Sequence, residues 1–330
     1  MGSDTAAREV IAAVGAGRMG RGMAVAFAYA GHPVRLIDAK ARDPEDFAGL
    51  ARDALAEIRS TLLMLRDFSL LDSGEVELVL GRITCHPRAE MAAALEGVPV
   101  VFEGVPETLE AKREALELIS AQAPEGAIIA STTSTILSDD LQGFVSHPAR
   151  FLNAHWLNPA YLVPLVELSP GQATDPAITA RLKALLERIG KVPVVCAASP
   201  GYIVPRIQVL AMNEAARLVE EGVASAEDID KAVKYGFGLR FAVLGLLEFI
   251  DWGGGDILYH ASRYMSGATG QDRFDAPQIV NDNMAQGRNG LRDGQGFMDY
   301  AGLDVGAYQK ARIGAFAEML RHLDKMPVKG

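Results

Sequence analysis

Residues 151–168, FLNAHWLNPAYLVPLVEL, set one histidine and one carboxylate inside two apolar runs. Asn158-Pro159 is a turn signal between the runs. His155 lies six residues before Tyr161 and Glu167 six after it, so strands doubling back about that centre bring the two side chains together. A carboxylate beside an imidazole selects its tautomer and raises its basicity, as a general base requires near neutral pH. An ionised Glu in an apolar strand is costly without such a partner. His32, His86 and His147 flank loops, and His260 and His322 lie in helical patterns. No HExxH or similar ligand spacing is present, so no catalytic metal is expected.

A second constellation opens the chain. Gly15-Ala16-Gly17-Arg18-Met19-Gly20 follows an apolar strand candidate, Val10 to Val14, and runs into an Ala-rich helix candidate, Arg21 to Ala30. Asp38 ends the next strand, 23 positions after Gly15. This is the context that gives GxGxxG meaning. Gly15 permits the tight turn, Gly17 admits a pyrophosphate to the backbone, and Gly20 lets helix and strand pack closely. The helix start, with Arg18 and Met19, presents amides to the phosphates. Asp38 is expected to bond the adenine ribose hydroxyls and to repel a 2′-phosphate, favouring NAD over NADP, although Lys40 and Arg42 follow closely. A hydroxyl cluster, Ser131-Thr132-Thr133-Ser134-Thr135, follows another buried-type strand. At a strand's carboxyl end it suits a substrate oxygen or a cofactor amide, or it caps a helix.

The elements that position these groups read as α/β. Residues 45–80 show helical spacing through Leu55, Ile58, Leu62 and Leu65. Short apolar runs follow at 98–102, 127–130, 151–156, 163–168 and 192–196, separated by helix-like segments. That alternation predicts a Rossmann-type, mostly parallel sheet, with the 151–168 pair as a local antiparallel exception. The character changes at Ser199-Pro200-Gly201, beyond which helical patterns dominate at 203–221, 226–235, 244–265 and 305–323. The expected domains are 1–198, holding the dinucleotide, and 199–330, an all-helical substrate and dimerisation part. Asp251-Trp252-Gly253-Gly254-Gly255-Asp256 reads as a helix–helix corner or a pocket wall. Residues 243–250 are apolar nearly all round and are expected to be buried, in the domain or against a second subunit. Tyr259, Tyr264 and Met265 read as core, and residues 327–330 as a frayed tail.

Of the 330 residues, 49% are hydrophobic and 22% charged, ample for a core. The net charge of −10 and the absence of a basic run speak against a nucleic-acid partner. Only Cys85 and Cys196 are present, which suits a reducing cytoplasm rather than a disulfide framework. Residues 1–5 show no targeting signal, and no apolar stretch reaches the roughly 18 residues of a membrane span.

Six segments together resemble the 3-hydroxyacyl-CoA dehydrogenase family. They are VGAGRMGRGMA at 14–24, FEGVPE at 102–107, the serine-threonine cluster, the His155–Glu167 segment, SPGYIV at 199–204 and GLRDGQGF at 290–297. The similarity runs in order from about Val10 to Tyr300. Residues 218–222 and 236–241 look closest to relatives acting on free hydroxy acids, the L-gulonate dehydrogenase (lambda-crystallin) type. The resemblance implies a two-domain protein that oxidises an L-3-hydroxyl with NAD, usually as a dimer joined through the helical domain. It implies His155 as general base, Glu167 as its orienting partner and Ser134 on the reacting oxygen. It also implies Asn158 at a cofactor or substrate contact, and Glu107 and Lys112 near the nicotinamide ribose. The substrate expected first is a short 3-hydroxyacyl-CoA such as 3-hydroxybutyryl-CoA. Next is a free 3-hydroxy acid such as L-gulonate or L-carnitine; a dinucleotide-binding protein without turnover is the other class. Two departures bear on the CoA assignment. The family usually has asparagine where this chain has Pro205, which has no side-chain donor, so Asn213 or Arg206 must compensate or no such contact is needed. Cations are also few in 50–70, namely Arg52, Arg59 and Arg66.

Overall fold

A computed structural model describes residues 8–328. The leading residues 1–5 and the last two of the expected tail lie outside them. The first part alternates strand and helix: β1 (Ile11–Val14), α1 (Arg18–Tyr29), β2 (Val34–Ile37), α2 (Pro44–Asp67), α3 (Glu75–Leu80), β3 (Ile83–His86), α4 (Met91–Leu95), β4 (Val100–Glu103), α5 (Leu109–Gln122), β5 (Ile128–Ser131), α6 (Ser138–Leu141), β6 (Phe151–Trp156), β7 (Leu165–Pro170), α7 (Pro176–Arg188) and β8 (Val192–Val195). Then come helices: α8 (Val204–Glu220), α9 (Ala226–Ala232), α10 (Leu239–Phe241), α11 (Leu246–Gly253), α12 (Gly255–Thr269), α13 (Gln278–Ala285) and α14 (Val305–His322).

The eight strands form one sheet in the order β3-β2-β1-β4-β5-β6-β7-β8, parallel except for β6 against β7. This is an α/β protein with a Rossmann-type, mostly parallel sheet followed by an all-helical part. β1, β4 and β5 are buried along their whole length, which is why they read as continuous apolar runs rather than alternating ones. Phe27, Phe102 and Trp156 meet in the core with ring centroids 5.4 to 5.8 Å apart. At the carboxyl end of the sheet a row of partners runs Ile37, Val14, Glu103, Ser131, Asn153. His155 lies two residues further along β6. Ligands of open α/β sheets bind at this edge.

The chain divides into two compact units between Leu210 and Ala211, against an expected boundary near 198. In the second unit α11 ends at Gly253 and α12 begins at Gly255. Gly254, at φ 109°, makes the corner, which is the helix–helix reading expected of 251–256 within the pattern over 244–265. Buried Asp251 organises the corner. It accepts the amides of Phe297 and Met298, each at 2.9 Å, and the Tyr300 hydroxyl at 3.1 Å.

Three local expectations are corrected. β3 escaped notice because an edge strand of one isoleucine followed by Thr84, Cys85 and His86 has little apolar pattern; His86 is its last residue, at the edge of the loop that follows. The helix expected over 226–235 stops at Ala232 and continues as a π-helical turn, Val233–Gly238. Of residues 243–250, expected to be buried in the domain or against a second subunit, only Leu244 is buried within the chain. Tyr264, 76% exposed, and Met265 are not core. Helical spacing tells which residues share a face, not what covers it.

Candidate active site

The antiparallel register of β6 and β7 sets His155 directly opposite Glu167. His155 Nδ1 lies 2.8 Å from Glu167 Oε2, and both residues are buried. The other carboxylate oxygen, Oε1, accepts the amides of Ile203 and Val204, each at 2.9 Å, where α8 begins. Burial alone would raise this carboxyl. The hydrogen bond from His155 and the two amides outweigh it and hold Glu167 below its ordinary value. An ionised carboxylate only accepts, so Nδ1 carries its hydrogen and Nε2 keeps the lone pair that can take a proton.

Sequence reasoning missed the group that fixes the other face of this imidazole. The Tyr202 ring stacks on His155, with centroids 5.2 Å apart and planes 10° apart. Its hydroxyl donates to the Thr133 carbonyl at 3.0 Å and accepts from the Asn153 amide at 3.0 Å. Burial pushes the phenol well above its ordinary value, so it stays a neutral donor. Asn153 also donates to the Ile136 carbonyl at 2.9 Å. Tyr202 thereby joins the histidine to the loop that carries Ser134. The sequence marks a turn at Ser199-Pro200-Gly201 but not where the next ring goes. Tyr202 itself takes φ 44°, an uncommon value for a non-glycine residue.

That loop is gathered by one carboxylate. Glu107 Oε1 has Thr133 Oγ1 at 2.6 Å, the Ser134 amide at 2.8 Å, the Thr135 amide and hydroxyl at 3.0 Å and Ser134 Oγ at 3.2 Å. Five donors share one oxygen, and Ser134 Oγ is the most distant, hence the readiest to turn to another acceptor. Burial opposes this charge, but the Thr133 hydroxyl, Lys112 and the loop's amides hold the carboxyl at about 2. Lys112 Nζ lies 3.3 Å from Glu107 Oε2 and 3.2 Å from each oxygen of Glu103. Ser131 Oγ donates to Glu103 at 2.5 Å. Glu103, also missed, is fully buried with Lys112 and makes this a two-carboxylate network.

At the glycine turn the conformation explains the residue types. Gly15 takes φ 112°, and a Cβ there would stand 2.6 Å from the Gly104 carbonyl oxygen. A Cβ on Gly20 would meet the Gly15 carbonyl oxygen at 2.0 Å, whereas Gly17 faces open space. Helix α1 has no side-chain cap, so the amides of Arg18, Met19 and Gly20 have no intrahelical acceptor. A cavity of about 400 Å³ runs from Gly15 and Gly17 to Asp38 and Arg42. It shares Ala39, Lys40, Val105 and Pro106 with a second cavity of about 310 Å³, walled by apolar Met91, Ala115 and Leu118. Open backbone for a pyrophosphate, a carboxylate for ribose and an apolar slot for adenine fit a dinucleotide.

Asn158 lies elsewhere. It lines a cavity of about 330 Å³ with Arg18, Glu57 and Tyr161. Its turn is held by buried Lys191, which donates to the carbonyls of Ala160 at 2.6 Å and Val163 at 2.8 Å. Burial pulls that ammonium down to about 8. Pro205 sits in the first turn of α8, where a missing N–H costs no helical bond. Among the described residues the nearby Arg206 side chain hydrogen-bonds only to Ser199 Oγ, at 3.5 Å.

Known proteins are similar to this chain in both of its parts. The family model for the NAD binding domain of 3-hydroxyacyl-CoA dehydrogenase matches residues 10–199, and that for the C-terminal domain matches 201–300. The bovine lambda-crystallin homolog is 36% identical over 258 residues, 78% of this chain and 78% of that protein. The 5-formyl-3-hydroxy-2-methylpyridine 4-carboxylate 5-dehydrogenase of Mesorhizobium japonicum is 30% identical over 316 residues, 95% and 98% of the two chains. The crystal structure of a 3-hydroxyacyl-CoA dehydrogenase from Archaeoglobus fulgidus superposes with a TM-score of 0.77 at 29% identity, covering 97% of this chain and all of that one. Shared across both parts of the chain, these matches place it in the 3-hydroxyacyl-CoA dehydrogenase family, as an NAD-dependent oxidoreductase.

Proposed function

We propose that this protein oxidises the 3-hydroxyl of a short 3-hydroxyacyl-CoA, of the 3-hydroxybutyryl-CoA kind, to the 3-keto form, with His155 as general base. The observation that carries this reading is the 2.8 Å contact of His155 Nδ1 with a Glu167 that two backbone amides also hold. That arrangement leaves Nε2 to take the hydroxyl proton. Glu167 then stabilises the imidazolium, as a buried carboxylate does for histidine in hydrolase triads. Ser134, turning from Glu107, steadies the substrate oxygen. NAD, when bound, accepts the hydride. Gly15, Gly17, Arg18, Met19, Gly20 and Asp38 hold its adenosine and phosphate end; Glu107, Lys112, Ser134 and Asn158 serve its nicotinamide side. We assign residues 1–198 to the cofactor and 199–330 to substrate and self-association, in a cytoplasmic enzyme.

A free 3-hydroxy acid, such as L-gulonate or L-carnitine, is the second reading, and two observations favour it. Pro205 brings no side-chain donor to the start of α8. Of the three cations in 50–70, Arg59 is paired with Glu77 at 2.7 Å and Arg66 with Asp67 at 2.7 Å. The deciding experiment is a panel of acyl-CoA thioesters and free acids scored by NADH absorbance. Turnover of thioesters supports the first reading, turnover of free acids alone replaces it with the second, and turnover of neither class with NAD bound leaves a binding protein.

Self-association as a homodimer through the helical part is supported by what that part exposes. Helices α8, α12 and α14 contain no buried residue within the chain. Leu210 and Met212 on α8 are 67% and 68% exposed. Apolar surface on this scale marks an interaction face.

A further inference from the structure

Asp38 directly follows β2, at the position expected to meet the adenosine ribose, where a lone carboxylate repels a 2′-phosphate. In this chain it is not alone. Arg42 Nε donates to Asp38 Oδ2 at 2.6 Å, and the Lys40 amide donates to Oδ1 at 3.1 Å. The Asp38–Arg42 pair carries no net charge. A guanidinium has five N–H donors and this pair uses only the one on Nε; neither Nη has a hydrogen-bond partner among the described residues. The arginine side chain is also the open partner, 32% exposed against 6% for the carboxylate.

The surroundings point the same way. Arg21, Lys40 and Arg42 line the cavity with Asp38 as the one carboxylate among its lining residues. Arg21 is committed to Glu57, but Lys40 Nζ makes no ion pair among the described residues. Asp43, Glu45 and Asp46 follow in sequence, yet none of them lines this cavity.

We propose that Arg42 lets this cleft accept the 2′-phosphorylated dinucleotide, NADP, as well as NAD. With NAD, Arg42 stays on Asp38, and the carboxylate's remaining lone pairs accept the ribose hydroxyls. With NADP, Arg42 keeps its Nε–H on Asp38 and turns its free Nη donors to the phosphate oxygens, a planar fork suited to that geometry. Lys40 adds a second positive charge. Losing a charge-assisted contact of this kind costs about ten- to a hundredfold in affinity.

The inference rests on the dinucleotide reading of the cleft but not on any substrate, so its test uses dead-end ligands. Adenosine 2′,5′-bisphosphate and 5′-AMP are titrated by calorimetry into the wild type and into Arg42→Ala. Arg42 is open to solvent, and an unchanged melting temperature checks that the variant is folded. The wild type is expected to prefer 5′-AMP by less than about thirtyfold, and Arg42→Ala to worsen relative affinity for the bisphosphate by about fivefold or more. A stronger wild-type preference, or a smaller change in the variant, overturns the proposal. Binding of neither nucleotide overturns the dinucleotide reading and this inference with it.

Discussion

His155 is held on two sides by different forces, and the two are separable. Glu167 sets its tautomer, and Tyr202 sets the plane of its ring. His155→Ala removes the proton acceptor, so kcat should fall by roughly 10²–10⁴-fold while NAD affinity, measured by calorimetry, stays unchanged. Glu167→Gln should also lose turnover. It keeps the shape but removes the charge that stabilises the imidazolium, and its amide can present N–H where Nδ1–H needs an acceptor. Tyr202→Phe keeps the stacked ring and deletes only the hydroxyl, leaving the Thr133 carbonyl and Asn153 short of a partner. The expected result is a stability loss of about 1–3 kcal/mol in urea with kcat within about tenfold of wild type. A collapse of kcat in this variant means that the hydroxyl, and not the ring, positions the base.

At the scale of elements, the 132–135 loop and the start of α5 behave as one unit because Glu107 and Lys112 bind them from the same side. Glu107 has a folded value of about 2 against 4.5 for the free carboxyl, so its contribution to stability is fully present above 4.5 and is lost as pH falls toward 2. Wild-type stability, followed by circular dichroism in urea, should therefore fall more steeply between pH 4.5 and 2 than it does without this carboxylate. Glu107→Gln should flatten the pH dependence between 4.5 and 2 while lowering stability at pH 7. Lys112 is the more severe site. Lys112→Met takes the cation away from the fully buried Glu103 and from Glu107, a loss of about 3–5 kcal/mol that thermal melting reads directly.

For the whole molecule, the contrast lies between a sheet sealed on both faces and helices left bare. The sheet's core closes within the chain, whereas α8, α12 and α14 bury nothing completely. Sedimentation should give the mass of two chains for the wild type. Leu210→Asp places a charge on the exposed apolar face of α8, where it costs little in a single chain and several kcal/mol inside an apolar interface. That variant should sediment as one chain. A wild type that sediments as one chain at micromolar concentration would sink the homodimer.

The amino-acid sequence alone determined the strand–glycine turn–helix–acid unit, the alternation of strands and helices, and the opposition of His155 to Glu167. Each is encoded within about thirty residues, where turn signals and periodicity suffice. Tertiary structure alone decided which groups meet across the sheet: Glu103 with Ser131, Glu107 with the loop 26 to 28 residues later, and Tyr202 over His155. Those contacts depend on strand order, because β4, β5 and β6 bring distant segments to one edge, and no local pattern records that order. Exposure was decided at the same level. The helical spacing of Tyr264 and Met265 is the same whether their face is packed or bare, and only the arrangement of the neighbouring helices tells the two apart.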